Sequence, residues 1–180
     1  MKKVFISGSR KITRLNLHIK EKLDSIIQNG YVVLVGDANG VDRAVQQYLL
    51  SKNYNDVVVY YVGNQCRNNL GNWDTATIRT NNLRKDFSYY SLKDIEMAKQ
   101  ADYGLAIWDA KSKGTLHNIV NLVKDNKKVR VYFHPQRRFY TIDSYSGLEK
   151  VINECDHSSI ESFKSKLGLP QVLQEPLFSD

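Results

Sequence analysis

Small polar residues and glycines follow three of the apolar segments in this sequence. The first apolar segment ends at Ser7-Gly8-Ser9-Arg10, the second is followed by residues 36–42, and the fourth by residues 109–115. Glycine lets backbone N–H groups approach an anion closely, and the last two segments lead into predicted helices whose amino ends carry partial positive charge. Three such turns at one edge of a sheet predict a cleft for a phosphorylated ligand.

The candidate ligand-binding residues all come from these three segments. Hydroxyl groups can donate to phosphate, a guanidinium group can grip it with two parallel bonds, and glycines allow close approach of the backbone. The set comprises Gly8, Ser9, Arg10, Gly36, Asp37, Gly40, Asp42, Lys111, Ser112, Lys113, Gly114 and Thr115.

The carboxylates in these segments do not favour an anion and have other predicted uses. Asp37 can accept hydrogen bonds from ribose hydroxyls or from a base amine. Asp42 is interpreted first as a cap of the helix that follows it. Together with Asp109, these two residues are the candidate catalytic carboxylates if the chain is an enzyme.

Two side chains beside the third segment have structural interpretations that we favour. Trp108 is predicted to pack in the core at the end of a strand, and the alternative is a stacking surface for a ligand. His117 lies one turn into the next helix. A partly buried histidine of ordinary kind is favoured there over a proton carrier.

Short apolar segments alternate with segments of helical periodicity along the chain. The apolar segments are predicted strands at 4–6, 31–35, 57–62, 103–108 and 129–133, and the periodic segments are predicted helices at 14–29, 40–51, 91–100 and 114–124. Residues 64–87 are polar, rich in asparagine and without a clear period. This alternation predicts an α/β fold, a Rossmann-like three-layer sandwich with a mostly parallel sheet.

A change in composition near Pro135 predicts a domain boundary. Residues 1–138 are the predicted nucleotide-binding domain, and residues 139–180 are a predicted appendage of one or two helices with an irregular end at Gly168-Leu-Pro170 and Pro176. Charge changes at the same place, because the segment 111–138 carries a net charge of +7 and the segment 139–180 one of −4. The basic segment is a candidate contact for a phosphate-bearing partner, although its part from Lys124 to Arg130 is interpreted as a solvated helix face and turn.

Composition and spacing exclude several classes of protein. The chain has 180 residues, 42% hydrophobic and 25% charged, with a formal net charge of +7, which indicates a globular domain and excludes a disordered chain. No apolar segment approaches the roughly 20 residues of a membrane span, so we expect a cytoplasmic protein without a membrane partner. Cys66 and Cys155 lack metal-ligand spacing, so neither a disulfide framework nor a metal site is predicted.

Neither of two widespread nucleotide-binding signatures is present. The dinucleotide fingerprint G-x-G-x-x-G and the P-loop G-x-x-x-x-G-K-[ST] both fail to match any of the three segments. The sequence therefore argues against a standard NAD enzyme and a P-loop NTPase, and no cofactor is predicted.

Residues 4–10, 36–45 and 106–115 together resemble the SLOG superfamily, and within it the branch related to YspA and YpsA. This superfamily includes the Rossmann domain of DNA-processing protein A and the LOG-type phosphoribohydrolases. The resemblance covers about residues 1 to 133 and implies a Rossmann-like domain that binds nucleotides or nucleotide-derived ligands. Some members hydrolyse the N-glycosidic bond of a nucleoside monophosphate, and others are thought to sense nucleotide signals.

The LOG-type motif P-G-G-x-G-T-x-x-E matches this sequence only in part. Gly114-Thr115 matches its phosphate-binding Gly-Thr, but residues 111–113 replace its Pro-Gly-Gly and Asn118 stands at the position of its glutamate. A neutral amide cannot act as a general base, so the match does not favour the LOG mechanism. The arginine-lysine pair of the family is matched loosely by Arg84-Lys85, with Arg79 as another candidate.

Three functions follow from the sequence. The preferred one is binding of a nucleotide or nucleotide-derived ligand by a sensor or regulatory module. The alternatives are an N-glycosidase that acts on a nucleoside monophosphate and a protein that binds nucleic acid, for which the 11 tyrosines offer stacking surfaces. The predicted partners are therefore a nucleotide-derived small molecule, a second copy of the chain in a homodimer, and, with less support, nucleic acid.

Overall fold

A computed structural model describes residues 1–81 and 84–167 of the chain. The described residues form seven strands, six α-helices and one short 3₁₀ helix. In chain order these are β1 (Lys3–Gly8), α1 (Leu17–Gln28), β2 (Val32–Gly36), α2 (Val41–Ser51), β3 (Val57–Val62), β4 (Asp74–Ile78), α3 (Phe87–Gln100), β5 (Tyr103–Trp108), α4 (Lys113–Lys124), β6 (Val129–Phe133), the 3₁₀ helix His134–Gln136, β7 (Arg138–Ile142), α5 (Tyr145–Ile152) and α6 (His157–Leu167).

The strands form one sheet in the order β4-β3-β2-β1-β5-β6-β7. All neighbouring strands are parallel except β6 and β7, which are antiparallel. Helices connect the central parallel strands, as parallel neighbours require. The predicted α/β fold, a Rossmann-like three-layer sandwich, is confirmed.

Alternating side chains of each central strand supply two separate cores. Val4 and Ile6 pack with Ile19 of α1 on one face, whereas Phe5 between them packs with Met97 of α3 on the other. Strands that are apolar on both faces suit a sheet covered by helices on each side. The sheet therefore holds the loops at its carboxyl edge on a rigid base.

Side-chain caps decide where several helices begin. The side chain of Asn16 accepts from the backbone N–H of Ile19 at the start of α1, and Asp86 accepts from that of Tyr89 at the start of α3. These caps satisfy N–H groups that have no partner inside the helix. Consequently α1 begins later than its predicted start at residue 14, and α3 begins at Phe87, one turn before its predicted start at residue 91.

Strand β4 lies inside the polar segment 64–87, where no regular element was predicted. It pairs in parallel with β3 at the edge of the sheet, and none of its residues is buried. An edge strand exposed in this way needs no apolar alternation, so hydrophobic periodicity could not reveal it.

The segment after residue 138 continues the same sheet and core. Strand β7 pairs with β6, and Ile142, Leu148 and Phe163 belong to the cluster that contains Trp108. The rings of Trp108 and Phe163 have centroids 5.8 Å apart. The predicted boundary between residues 138 and 139 thus falls at the start of a sheet strand, and two helices follow it as expected. The predicted irregular end, residues 168–180, lies outside the described residues.

None of the helices within residues 1–81 and 84–167 combines the length and the apolar character that a membrane crossing requires.

Candidate functional site

A cleft of about 530 Å³ opens at the carboxyl edge of the sheet. Strand β1 lies between β2 and β5, so the order of strands reverses direction on either side of it. In open α/β sheets this reversal leaves a crevice in which ligands bind. The loops after β1, β2 and β5 line the cleft together with one face of α3. We call it the first cleft.

The loop after β1 is fixed by hydrogen bonds from Ser9. Its N–H donates to the carbonyl of Ile107 at 3.0 Å, its carbonyl accepts from the N–H of Val41 at 3.3 Å, and its hydroxyl accepts from the N–H of Asp109 at 3.1 Å. Ser9 is completely buried and does not line the first cleft. Its hydroxyl therefore joins two loops, which differs from the phosphate contact predicted for it.

The loop after β2 depends on two glycines. Gly40 has a φ of +81°, and a Cβ atom there would lie 2.3 Å from the carbonyl oxygen of Arg10. A Cβ atom on Gly36 would lie 2.4 Å from Oδ2 of Asp42 and 2.9 Å from Nζ of Lys93. A side chain at Gly40 would collide with the backbone of Arg10, whereas one at Gly36 would have to displace the side-chain ends of Asp42 and Lys93.

Asp42 stabilises the loop before its helix and does not cap that helix as predicted. Gly40 is the N-cap residue of α2, whereas the Oδ2 atom of Asp42 accepts from the N–H of Ala38 at 3.1 Å. Burial raises the pKa of Asp42 to about 6, against the opposing effect of the nearby ammonium group of Lys93.

Lys93 lies buried in the floor of the first cleft and forms an ion pair with Asp94. Burial by itself would lower the pKa of Lys93. The negative charges of Asp94 and Asp42 together outweigh burial, so the pKa of Lys93 is raised above its ordinary value. One ammonium group between two carboxylates makes this floor anionic or neutral, depending on the proton of Asp42.

Asp37 is held by a residue far along the chain. Its carboxylate accepts from the backbone N–H of Arg67 at 3.1 Å and from both ends of the guanidinium group, with 2.9 Å to Nε. Burial by itself would raise the pKa of Asp37. The hydrogen bonds from Arg67 and its positive charge together outweigh burial, so the pKa of Asp37 lies below its usual range. Asp37 does not line the first cleft.

The loop after β5 is folded by Asp109. Its Oδ1 atom accepts from the N–H groups of Lys111 at 3.0 Å and Ser112 at 2.7 Å, which places Ser112 as the N-cap of α4. The hydroxyl of Thr115 donates to that of Ser112 at 3.0 Å. The amino end of α4 thereby points its partial positive charge toward the first cleft.

Two buried polar atoms in the first cleft lack a partner among the described residues. They are Oγ of Ser7, in a residue 3% exposed, and Oδ1 of Asn118, in a residue 5% exposed. Such atoms are rare because desolvation without a hydrogen bond costs about 1–3 kcal/mol. Both residues line the cleft, so a bound group can supply the missing bonds.

Four exposed cations surround the first cleft: Arg10, Lys11, Lys85 and Lys111. None of them forms an ion pair within residues 1–81 and 84–167. Aromatic rings stand beside them, because Phe87 is 50% exposed and the guanidinium carbon of Arg10 lies 5.6 Å from the ring centroid of Tyr90. The rim therefore offers both positive charge and stacking surfaces.

The structure brings most of the predicted site residues together. Those that line the first cleft are Gly8, Arg10, Gly36, Asp42, Asp109, Lys111, Ser112, Gly114, Thr115 and Asn118. Those that do not are Ser9, Asp37, Gly40, Lys113, Arg79, Arg84 and His117.

Trp108 and His117 have packing roles in the structure. Trp108 is fully buried and its ring N–H donates to the carbonyl of Ser112 at 3.0 Å, so its ring does not offer a stacking surface. His117 packs edge to face with Phe87, and burial lowers its pKa.

Sequence reasoning missed the contribution of helix α3. Its residues Phe87, Tyr90, Asp94 and Met97 recur every three or four positions on the first cleft, and Ser91 and Lys93 lie beside them, with Asp86 just before the helix. This spacing marks one face of a helix, and it could have been recognised had the helix been extended back to the cap at Asp86.

The basic segment 111–138 does not form one surface. Lys111 lies at the first cleft, whereas Lys128 lies at the start of β6, on the opposite edge of the sheet. Helix α4, about 18 Å long at 1.5 Å per residue, separates them. The ammonium group of Lys127 donates to the carbonyls of Ala98 and Lys99 and is thus used within the fold.

Comparisons with known proteins give a likeness of fold. No family model matches the chain, and no curated protein is significantly similar to it. Among solved structures, DNA processing protein A from Helicobacter pylori is similar with a TM-score of 0.57 and 16% sequence identity, covering 92% of this chain and 80% of that one. That structure was described for its mode of binding single-stranded DNA. The chain thus has a Rossmann-like fold similar to that of DNA processing protein A.

Proposed function

We propose that the first cleft binds single-stranded nucleic acid through its phosphates and bases. The observation that carries this proposal is that four exposed cations, none of them in an ion pair with a described residue, surround one cleft together with aromatic rings. Positive charge attracts a phosphate backbone, and aromatic faces hold unstacked bases, which a duplex does not present.

None of the acids that line the first cleft forms an ion pair with these four cations within residues 1–81 and 84–167. Asp94 pairs with Lys93, Asp109 accepts from two backbone N–H groups, and Asp86 caps α3. The cations at the rim therefore remain available to phosphate. Arg10 is the one arginine among these four cations, so its guanidinium group is the candidate for a bidentate contact.

The floor of the first cleft suits the uncharged part of a nucleotide. The carbonyl oxygen of the Asn118 side chain can accept from a sugar hydroxyl or a base amine, and the Ser7 hydroxyl can donate or accept. A nucleotide with its phosphate at the rim and its sugar or base at the floor would satisfy both atoms.

The likeness to DNA processing protein A supports this proposal over a small-molecule sensor. That protein shares the fold over most of both chains, and its structure was described for binding single-stranded DNA. The charge and aromatic content of the first cleft agree with the same class of partner in this chain.

A free nucleotide is the second candidate ligand. The volume of about 530 Å³ lies in the range of pockets for small molecules, roughly 300–1,000 Å³. Hydrolysis of such a ligand stays a prediction. Its candidate carboxylates Asp37, Asp42 and Asp109 all accept hydrogen bonds from protein groups in this structure.

The test is fluorescence anisotropy of a labelled single-stranded oligonucleotide at several salt concentrations, with the matching duplex and a nucleoside monophosphate as competitors. We expect single strands to compete best and the logarithm of affinity to fall with that of salt, by about 0.7 for each phosphate neutralised. Binding of the monophosphate alone would favour the second candidate, and binding of neither would contradict the proposal.

Matched charge variants locate the contact. Arg10→Gln and Lys111→Gln should each weaken binding about tenfold and flatten the salt dependence. Lys128→Gln removes the same charge at the opposite edge of the sheet and should leave the affinity nearly unchanged. Equal losses in all three variants would point to a diffuse surface instead of the first cleft.

A further inference from the structure

A second cleft of about 410 Å³ adjoins the first. It lies between the loop that follows β3 and the start of α3. Lys85 and Tyr90 line both clefts, so the two share one wall. No pattern in the sequence indicated this cleft, because half of its lining residues lie in the polar segment 64–87, which has no clear period.

The second cleft has a different chemistry from the first. Its arginine, Arg67, is 37% exposed but its charge is balanced by Asp37, which also lines this cleft. The neighbouring loop residues Asn64 and Gln65 are exposed and present amide groups. Each amide carries both a donor and an acceptor, which matches the edge of a base better than a phosphate.

Tyr90 stands between two guanidinium groups that belong to different clefts. The guanidinium carbon of Arg10 lies 5.6 Å from the centroid of its ring, and that of Arg67 lies 4.9 Å away. Arg10 lines only the first cleft and Arg67 only the second. One aromatic ring therefore separates a site suited to phosphate from a site suited to a base.

We propose that the second cleft binds the base of the nucleotide next to the one held in the first cleft, and that Asn64 and Gln65 read that base. This inference rests on the proposed function and specifies it: the preferred ligand is a strand of at least two nucleotides. The strand passes Tyr90, with Lys85 facing the phosphate that joins the two nucleotides.

The test compares thymidine 5′-monophosphate with the four 5′-phosphorylated deoxydinucleotides that begin with thymidine and differ in the second base. Calorimetry measures each affinity. We expect the dinucleotides to bind about tenfold more tightly than the monophosphate, which is the effect of one additional stacked base, and the four to differ among themselves.

The double variant Asn64→Ala/Gln65→Ala is the critical one. Both residues are exposed, so the fold does not depend on them. The variant should bind all four dinucleotides alike and more weakly, while its affinity for the monophosphate stays unchanged. Gln47→Ala, an exposed glutamine on α2 that lines neither cleft, serves as the matched control and should behave as wild type.

Two results would overturn the inference. Equal affinity of wild type for the monophosphate and the dinucleotides would leave the first cleft as a nucleotide site and remove the second. Unchanged discrimination in the double variant would show that these amides do not read the base. If no probe binds to the wild-type protein, the proposed function itself fails. That result differs from equal affinities for all probes, which would remove only the second cleft.

Discussion

The carboxylate of Asp42 and the ammonium group of Lys93 both lie beside the position that a Cβ atom of Gly36 would occupy, at the first cleft. The two residues come from α2 and α3, on opposite faces of the sheet. Both groups extend into this space because the end of β2 carries no side chain at Gly36. The floor of the first cleft therefore favours glycine at position 36, because a Cβ atom there would lie too close to both groups.

Replacing this glycine should destabilise the protein. In Gly36→Ala the new Cβ atom would lie 2.4 Å from Oδ2 of Asp42, so the buried pair must move, at a cost of about 1–3 kcal/mol. Gly114→Ala is the matched control, because no protein atom among the described residues lies within 4 Å of its Cβ position. Urea denaturation should show a loss only in the first variant. A stable Gly36→Ala protein would contradict the packing described for this floor.

Two neighbouring serines should respond in opposite ways to the same substitution. The Ser7 hydroxyl has no partner among the described residues, so Ser7→Ala should leave the free energy of unfolding unchanged or raise it by about 1 kcal/mol, while nucleotide binding weakens. The Ser9 hydroxyl accepts from the N–H of Asp109, so Ser9→Ala should lower stability by about 1–2 kcal/mol. Thermal unfolding with and without oligonucleotide measures both effects. Similar stability losses in the two variants would argue against an open position at Ser7.

Asp42 should make stability decrease as pH rises toward neutrality. Burial raises its pKa to about 6 in the folded state, so between about pH 4 and 6 the folded protein binds more protons than the unfolded chain. The contribution of Asp42 to the free energy of unfolding is complete when the pH lies below the pKa of this group in the unfolded chain. It is lost as the pH rises to about 6, the pKa in the folded protein. The Asp42→Asn variant lacks this titration. Its free energy of unfolding, relative to wild type, should therefore increase by about 2 kcal/mol from pH 4 to pH 7. Parallel pH profiles for the two proteins would contradict the assignment.

Asp37 should depend on Arg67 for its charge. Arg67→Ala leaves the carboxylate of Asp37 buried without its guanidinium partner. This should raise the pKa of Asp37, because burial then acts with less opposition, and should cost about 2 kcal/mol, less than in a fully buried pair because Arg67 is 37% exposed. The double variant Asp37→Ala/Arg67→Ala should also lose free energy of unfolding. Its loss should be smaller than the sum of the two single losses by at least about 1 kcal/mol. Denaturation of the four proteins gives this coupling, and carboxyl chemical shifts give the pKa. Strict additivity would show that the pair contributes little.

Much of the fold could be predicted because its signals are local. Each buried strand is a short apolar segment, each turn at the carboxyl edge contains glycine and small polar residues, and each amphipathic helix repeats its pattern within a few turns. The sequence therefore indicated the α/β sandwich and the three loops of the first cleft, including Arg10, Lys111 and Asn118. The resemblance to the SLOG superfamily agrees with the fold, and its narrower branch stays a prediction.

Tertiary structure alone decided which of these side chains face the first cleft and what else joins them. Ser9 looks available in the sequence, but its neighbours in space bury it. Asp37 finds its partner Arg67 30 residues away, and the wall shared by the two clefts depends on where α3 begins. Such contacts join segments that are distant along the chain. They are set by packing across the sheet, which leaves no periodic trace in either segment.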